Sequence, residues 1–109
     1  MIEYREICPS DFDSVCALGR QMHAESSYSA LEFSESRLRE IFDEYLSSSD
    51  KMVFIAIRDG EPLGLYAGYL SKYYFSDELV ANDIAWFVVK ERRGSRVGLR
   101  LLVLCLYIW

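Results

Sequence analysis

Between Lys90 and Arg100 the sequence reads KERRGSRVGLR, placing Lys90, Arg92, Arg93, Arg96 and Arg100 around Gly94 and Gly98. Five of the chain's 12 basic residues therefore fall within eleven positions, in a protein whose net charge is −5. The segment follows an apolar run and precedes another, so its glycines mark a turn that opens a helix. A helix start presents unpaired backbone N–H groups and the positive end of the helix dipole, which together attract an anion. Gly94 and Gly98 permit close approach of backbone to a pyrophosphate, and the arginines add charge-assisted donors. The plainer alternative is a turn at Gly94 flanked by a solvated basic face. Neither G-x-x-x-x-G-K-[ST] nor G-x-G-x-x-G occurs, so triphosphate P-loop and dinucleotide readings fall away.

Other candidates carry less. His23 is the lone histidine. It stands at a predicted helix end, where such a residue is more often structural than catalytic, and no role is assigned to it. Tyr66, Tyr69, Tyr73 and Tyr74 are not interleaved with basic residues, so they read as sheet and cover residues rather than a base-stacking platform. Cys8, Cys16 and Cys105 form no CxxC or Cys/His ligand set, no metal site is expected, and an odd count argues against a disulfide framework. The 17 acidic residues speak against nucleic acid or anionic membrane as partners. No signal-peptide core opens the chain and the apolar C-terminal run is too short to span a bilayer, so the expectation is a soluble protein of a reducing cytoplasm.

The elements that must position the basic turn can be read from periodicity. A length of 109 residues with 51% apolar content suits one domain over 1–109. Residues 1–7 alternate as a half-buried strand, and a helix from Ser10 to about His23 follows, with Ser10 as its cap. Residues 24–33 are serine-rich and aperiodic. Ser34 then caps a second helix whose buried stripe is Leu38, Ile41, Phe42, Tyr45 and Leu46. Residues 52–57 and 63–70 are two strands joined by an Asp59-Gly60 hairpin turn. Residues 81–90, ANDIAWFVVK, read as a fourth strand buried on both faces. From Val97 to Trp109 the chain reads as a helix apolar on almost every side.

This order, with Val88-Val89-Lys90-Glu91-Arg92-Arg93-Gly94-Ser95-Arg96-Val97-Gly98-Leu99-Arg100-Leu101-Leu102, resembles the GNAT superfamily of N-acyltransferases. The family motif is a strand valine followed by R-G-x-G-x-G-x-x-L; Arg93, Gly94, Gly98 and Leu101 match, while Arg96 stands where glycine is usual. The resemblance implies an α+β fold with a mixed, mostly antiparallel sheet and helices on both faces. It implies acetyl-CoA as co-substrate, its pyrophosphate at Arg93, Gly94, Ser95, Arg96, Val97 and Gly98, and its pantetheine arm along Phe87, Val88 and Val89. It also implies direct acetyl transfer to an amine. A lysine-like amine is only on the order of 0.1% deprotonated at neutral pH, so a base is useful. Asp83 stands near where members carry such a carboxylate, and is either that base or a strand-edge acid. In the loop at 23–29, Glu25 and Tyr28 are the residues the resemblance places on the acceptor side.

A full family member continues with another strand, a helix and two strands. The resemblance thus covers only the N-terminal two thirds of that fold, ending after the acetyl-CoA-binding helix. Three readings follow: an N-acetyltransferase acting on a protein or small-molecule amine; a shortened or degenerate, non-catalytic binding protein, phage-encoded and directed at a host target; or a shortened product of a longer enzyme. Because Leu101 to Trp109 leave no polar helix face, a homodimer through this helix is expected.

Overall fold

Continuous apolar runs in the two central strands, residues 53–57 and 63–68, are buried on both faces and build the scaffold. In the computed structural model, which describes residues 1–108, strands β1 (Glu3–Glu6), β2 (Lys51–Arg58), β3 (Glu61–Lys72) and β4 (Leu79–Val88) form one sheet in the order β1-β2-β3-β4. All three neighbouring pairs are antiparallel. Helices α1 (Phe12–Glu25) and α2 (Glu35–Ser47) connect β1 to β2, and α3 (Val97–Ile108) follows β4. Trp109 lies outside the described residues, as do the side chains of Tyr107 and Ile108.

The β2–β3 connection is the expected two-residue turn. Asp59 and Gly60 take φ of 51° and 79°, the left-handed pair whose twist matches that of a hairpin. From it Arg58 pairs with Glu61 and Ile57 with Pro62, a bulge at Leu63 then shifts the register by one, and the strands continue as Ala56↔Gly64, Ile55↔Leu65 and Phe54↔Tyr66. On one face Val53, Leu65, Ala67 and Ala85 meet α1 and α2 through Val15, Gly19, Leu38 and Phe42. On the other face α3 packs with Val97, Leu101 and Cys105 buried. Helices therefore cover both faces, as the resemblance implies.

Ser34 caps α2 by accepting the Arg37 N–H at 3.2 Å. Ser10 does not cap α1. A 3-10 turn, Pro9–Asp11, comes first, and the cap position of α1 falls to Asp11. The Asp11 carboxylate is buried, accepts the Cys8 N–H at 2.7 Å, and is held by Arg5 through two bonds of 2.6 and 2.9 Å. The hydrogen bonds from Arg5, then from Cys8, outweigh burial and hold its pKa down to about 2.

β4 departs from expectation. It is not buried on both faces: Val80, Ile84 and Trp86 are 40%, 55% and 49% exposed. The cause is position, since among the described residues β4 is an edge strand and α3 covers only its C-terminal part. A register shift opposite Ala67 and Gly68 pairs Ala67 with Ala85 and Gly68 with Asp83, leaving Ile84 as the extra residue of a bulge. The bulge turns Asp83 onto the face shared by Tyr66, Trp86 and α3.

Candidate active site

The basic turn occupies the junction of three elements. After β4 the chain enters a short 3-10 turn, Lys90–Arg92. Val89 is anchored by its N–H to the Leu63 carbonyl at 2.9 Å and is buried. Gly94 then takes φ of 86°, a conformation that L side chains resist. No atom lies within 4 Å of where a Cβ would stand, so the turn is open to whatever approaches it. The Ser95 N–H donates to the Arg92 carbonyl at 3.1 Å, while Ser95 Oγ accepts the Val97 N–H at 3.3 Å. The Arg100 N–H is taken by the Arg96 carbonyl at 2.9 Å. Of the first four N–H groups of α3, those of Gly98 and Leu99 keep no protein acceptor among the described residues.

Gly94, Ser95 and Gly98 open on a cavity of about 530 Å³, lined also by Trp86, Phe87 and Val88 of β4, by Arg92 and Arg93, and by Met22, Glu25 and Ser26 at the end of α1, whereas Leu99 faces a different depression. Arg93 spans it. Its Nε donates to the Val88 carbonyl at 2.9 Å, its guanidinium lies 5.3 Å from the Phe87 ring centre, and Nη2 meets Glu25 Oε1 at 2.6 Å. The Trp86 indole N–H donates to the Gly98 carbonyl at 3.0 Å, tying the cavity wall to the first turn of α3.

Six of the nine residues expected to hold the co-substrate thus line one cavity: Phe87, Val88, Arg93, Gly94, Ser95 and Gly98. Val89 and Val97 are buried and hold the turn in place. Arg96 lines a different depression, of about 610 Å³, between α3 and β1 with Tyr4, Leu99 and Arg100. The long side chain in the usual glycine position therefore does not obstruct the cavity. Glu25, expected on the acceptor side, pairs with Arg93 inside the cavity. Tyr28 is 67% exposed and does not line it. Asp83 is exposed and likewise outside the lining residues, about 10 Å along the strand from Trp86. Tyr66 Oη donates to Asp83 Oδ1. His23 has a structural partner, the Leu31 carbonyl 2.6 Å from Nε2.

Sequence reasoning missed Trp86, Met22, Ser26 and the Tyr66–Asp83 pair. Trp86 sits two residues before the quoted motif, and an aromatic residue in the strand that leads into the basic glycine turn was the available signal. The Tyr66–Asp83 pair had none, because the bulge shifts the register by one residue.

No family model matches the sequence, and no curated protein matches it. Solved structures do. A GNAT family acetyltransferase of Staphylococcus aureus subsp. aureus USA300_TCH1516 superposes with a TM-score of 0.76 at 19% identity, covering 98% of this chain and 76% of that one. The aminoglycoside acetyltransferase AAC(6')-Iy, in complex with the bisubstrate analogue CoA-S-monomethyl-acetylneamine, gives 0.81 at 17% identity, with 98% and 70% coverage. The aminoglycoside acetyltransferase meta-AAC0020 from an uncultured soil metagenomic sample, in complex with sisomicin, gives 0.78 at 17% identity, with 98% and 68% coverage. The chain has the GNAT fold.

Proposed function

We propose that this protein binds acetyl-CoA at the Arg93–Gly98 turn and transfers its acetyl group directly to an amine. The observation that carries the reading is the open, left-handed turn at Gly94. It leads into the unpaired N–H groups of α3 beside a cavity that also holds Arg92, Arg93 and the end of β4. That set fits a pyrophosphate: open glycine backbone, the Gly98 N–H with no protein acceptor among the described residues, and two guanidiniums, of which Arg93 would exchange the Glu25 carboxylate, 2.6 Å away, for a phosphate. Phe87 and Val88 supply an apolar wall for the pantetheine arm, and Trp86 continues it. Val89, Val97 and Arg96 take supporting parts, the valines by packing and Arg96 by charge. The fold, shared with acetyltransferases over nearly the whole chain, supports the same reading.

In the transfer, the neutral amine attacks the acetyl carbonyl, the new C–N bond replaces the C–S bond, and the thiolate leaves and is protonated. Asp83 is the proposed acceptor of the amine proton, through water, since it stands beyond the cavity wall. Glu25 and Tyr28, at the end of α1 and in the following turn, are the proposed contacts to the acceptor amine, Glu25 after release from its pair with Arg93. Sisomicin and neamine derivatives are what two neighbours carry, so aminoglycosides are the first acceptors to try, followed by polyamines and lysine peptides.

The reading as a binding protein without catalysis draws on one observation, that Asp83 does not line the cavity. Release of CoA thiol from acetyl-CoA, followed with a thiol reagent in the presence of sisomicin, spermidine or a lysine peptide, separates the two. Amine-dependent release supports transfer; binding of CoA with no release under any amine supports the second reading. We also infer that a second copy covers the outer stripe of α3, where Leu99, Val103 and Leu106 are exposed.

A further inference from the structure

Tyr66 is 3% exposed at the centre of β3, yet its hydroxyl is not idle. It donates to Asp83 Oδ1, and it can do so only because the β4 bulge brings Asp83 onto its face. The Tyr66 ring meets Trp86 edge-to-face, with centroids 6.1 Å apart and planes at 75°. Trp86 in turn bonds the Gly98 carbonyl and lines the cavity. One buried phenol therefore connects the carboxylate proposed as base to the wall of the co-substrate cavity and the first turn of α3. Asp83 is otherwise exposed on an edge strand, where its side chain would sample several rotamers.

We propose that Tyr66 is a positioning residue: its hydroxyl holds one oxygen of Asp83 and leaves the other for the water through which the amine proton passes. The inference rests on the acetyltransferase reading with Asp83 as base. Burial, and after it the hydrogen bond to Asp83, push the Tyr66 phenol above its usual range, so it stays a donor at working pH. Tyr66→Phe removes only the hydroxyl, because the ring keeps its contact with Trp86.

The test is a double-mutant cycle in acetyl transfer to whichever of sisomicin, spermidine or a lysine peptide gives turnover. Tyr66→Phe is expected to lower kcat about tenfold with KM for acetyl-CoA unchanged within about twofold, and to cost nothing further in the Asp83→Asn background. Equal cost in both backgrounds, or none in the wild-type background, overturns the proposal. Full turnover by Asp83→Asn overturns the base assignment itself, and this inference with it. A readout free of activity runs alongside: in protein labelled at tyrosine Cζ, the Tyr66 resonance should titrate at lower pH in Asp83→Asn than in the wild type. An unchanged titration contradicts the hydrogen bond on which the proposal stands, whether or not any amine is acetylated.

Discussion

Asp11 shows how one buried carboxylate sets a pH dependence. Its pKa lies near 2 in the folded chain, held down by hydrogen bonds from Arg5 and Cys8, against about 3.9 in an unfolded chain. A depressed folded-state pKa contributes stability that is present above the unfolded value and is lost as pH falls through the folded one. The difference corresponds to about 2.5 kcal/mol. Asp11→Asn is therefore expected to lose about 2.5 kcal/mol in urea unfolding at pH 7, with the gap to wild type closing as pH falls from about 4 to about 2. A gap independent of pH would show that the carboxylate's charge is not what matters. At the other end of the sheet, Asp83→Asn is expected to lower acetyl transfer by roughly 10²–10⁴ while CoA binding persists. If turnover at neutral pH survives, the proton leaves by another route, and Glu25 is next to be replaced.

At the scale of elements, β4 decides the site, and its fit against β3 depends on Gly64. A Cβ there would stand 2.8 Å from the Phe87 carbonyl oxygen and 3.3 Å from a Leu101 methyl. Backbone of β4 would have to move, and with it Phe87 and Val88 of the cavity wall. Gly64→Ala is expected to cost about 2 kcal/mol and to weaken CoA binding with no contact of its own to the ligand; thermal unfolding and calorimetry read the two effects. Undiminished stability would mean that β3 and β4 separate without penalty. Much of this architecture was legible in the sequence. Asp59-Gly60 marked the β2–β3 turn, though not the bulge that shifts the register beyond Ile57, Ser34 marked the start of α2, and Arg93-Gly94 marked the turn before α3. What was not legible depends on tertiary geometry. Apolarity alone cannot separate an edge strand from a central one, so β4 read as fully buried. The Glu25–Arg93 ion pair joins residues 68 positions apart, and no local pattern announces it. Ser10 looked like a cap by type, whereas Asp11, buried by Arg5, holds that position.

For the whole molecule, two surfaces of α3 have different fates. Val97, Leu101 and Cys105 are buried against the sheet, while Leu99, Val103 and Leu106 are 59%, 52% and 66% exposed at spacings of four and three. Leaving such residues half in water forgoes about 1 kcal/mol each relative to burial, and an apolar stripe invites a matching one. Light scattering at tens of micromolar is expected to give twice the 12.7 kDa chain mass, falling to one chain in Val103→Lys; a wild-type monomer would show that the stripe stays in water. The account's central claim is that the Gly94 turn binds the CoA pyrophosphate. Gly60 provides a control, because it too has positive φ and open space around it, but lies in the β2–β3 turn and outside the cavity. Calorimetric titration of CoA should show binding to wild type and to Gly60→Asp, and none to Gly94→Asp, whose carboxylate would stand against the phosphates. Equal affinity in Gly94→Asp and wild type, or no binding of CoA to the wild-type chain, would contradict it.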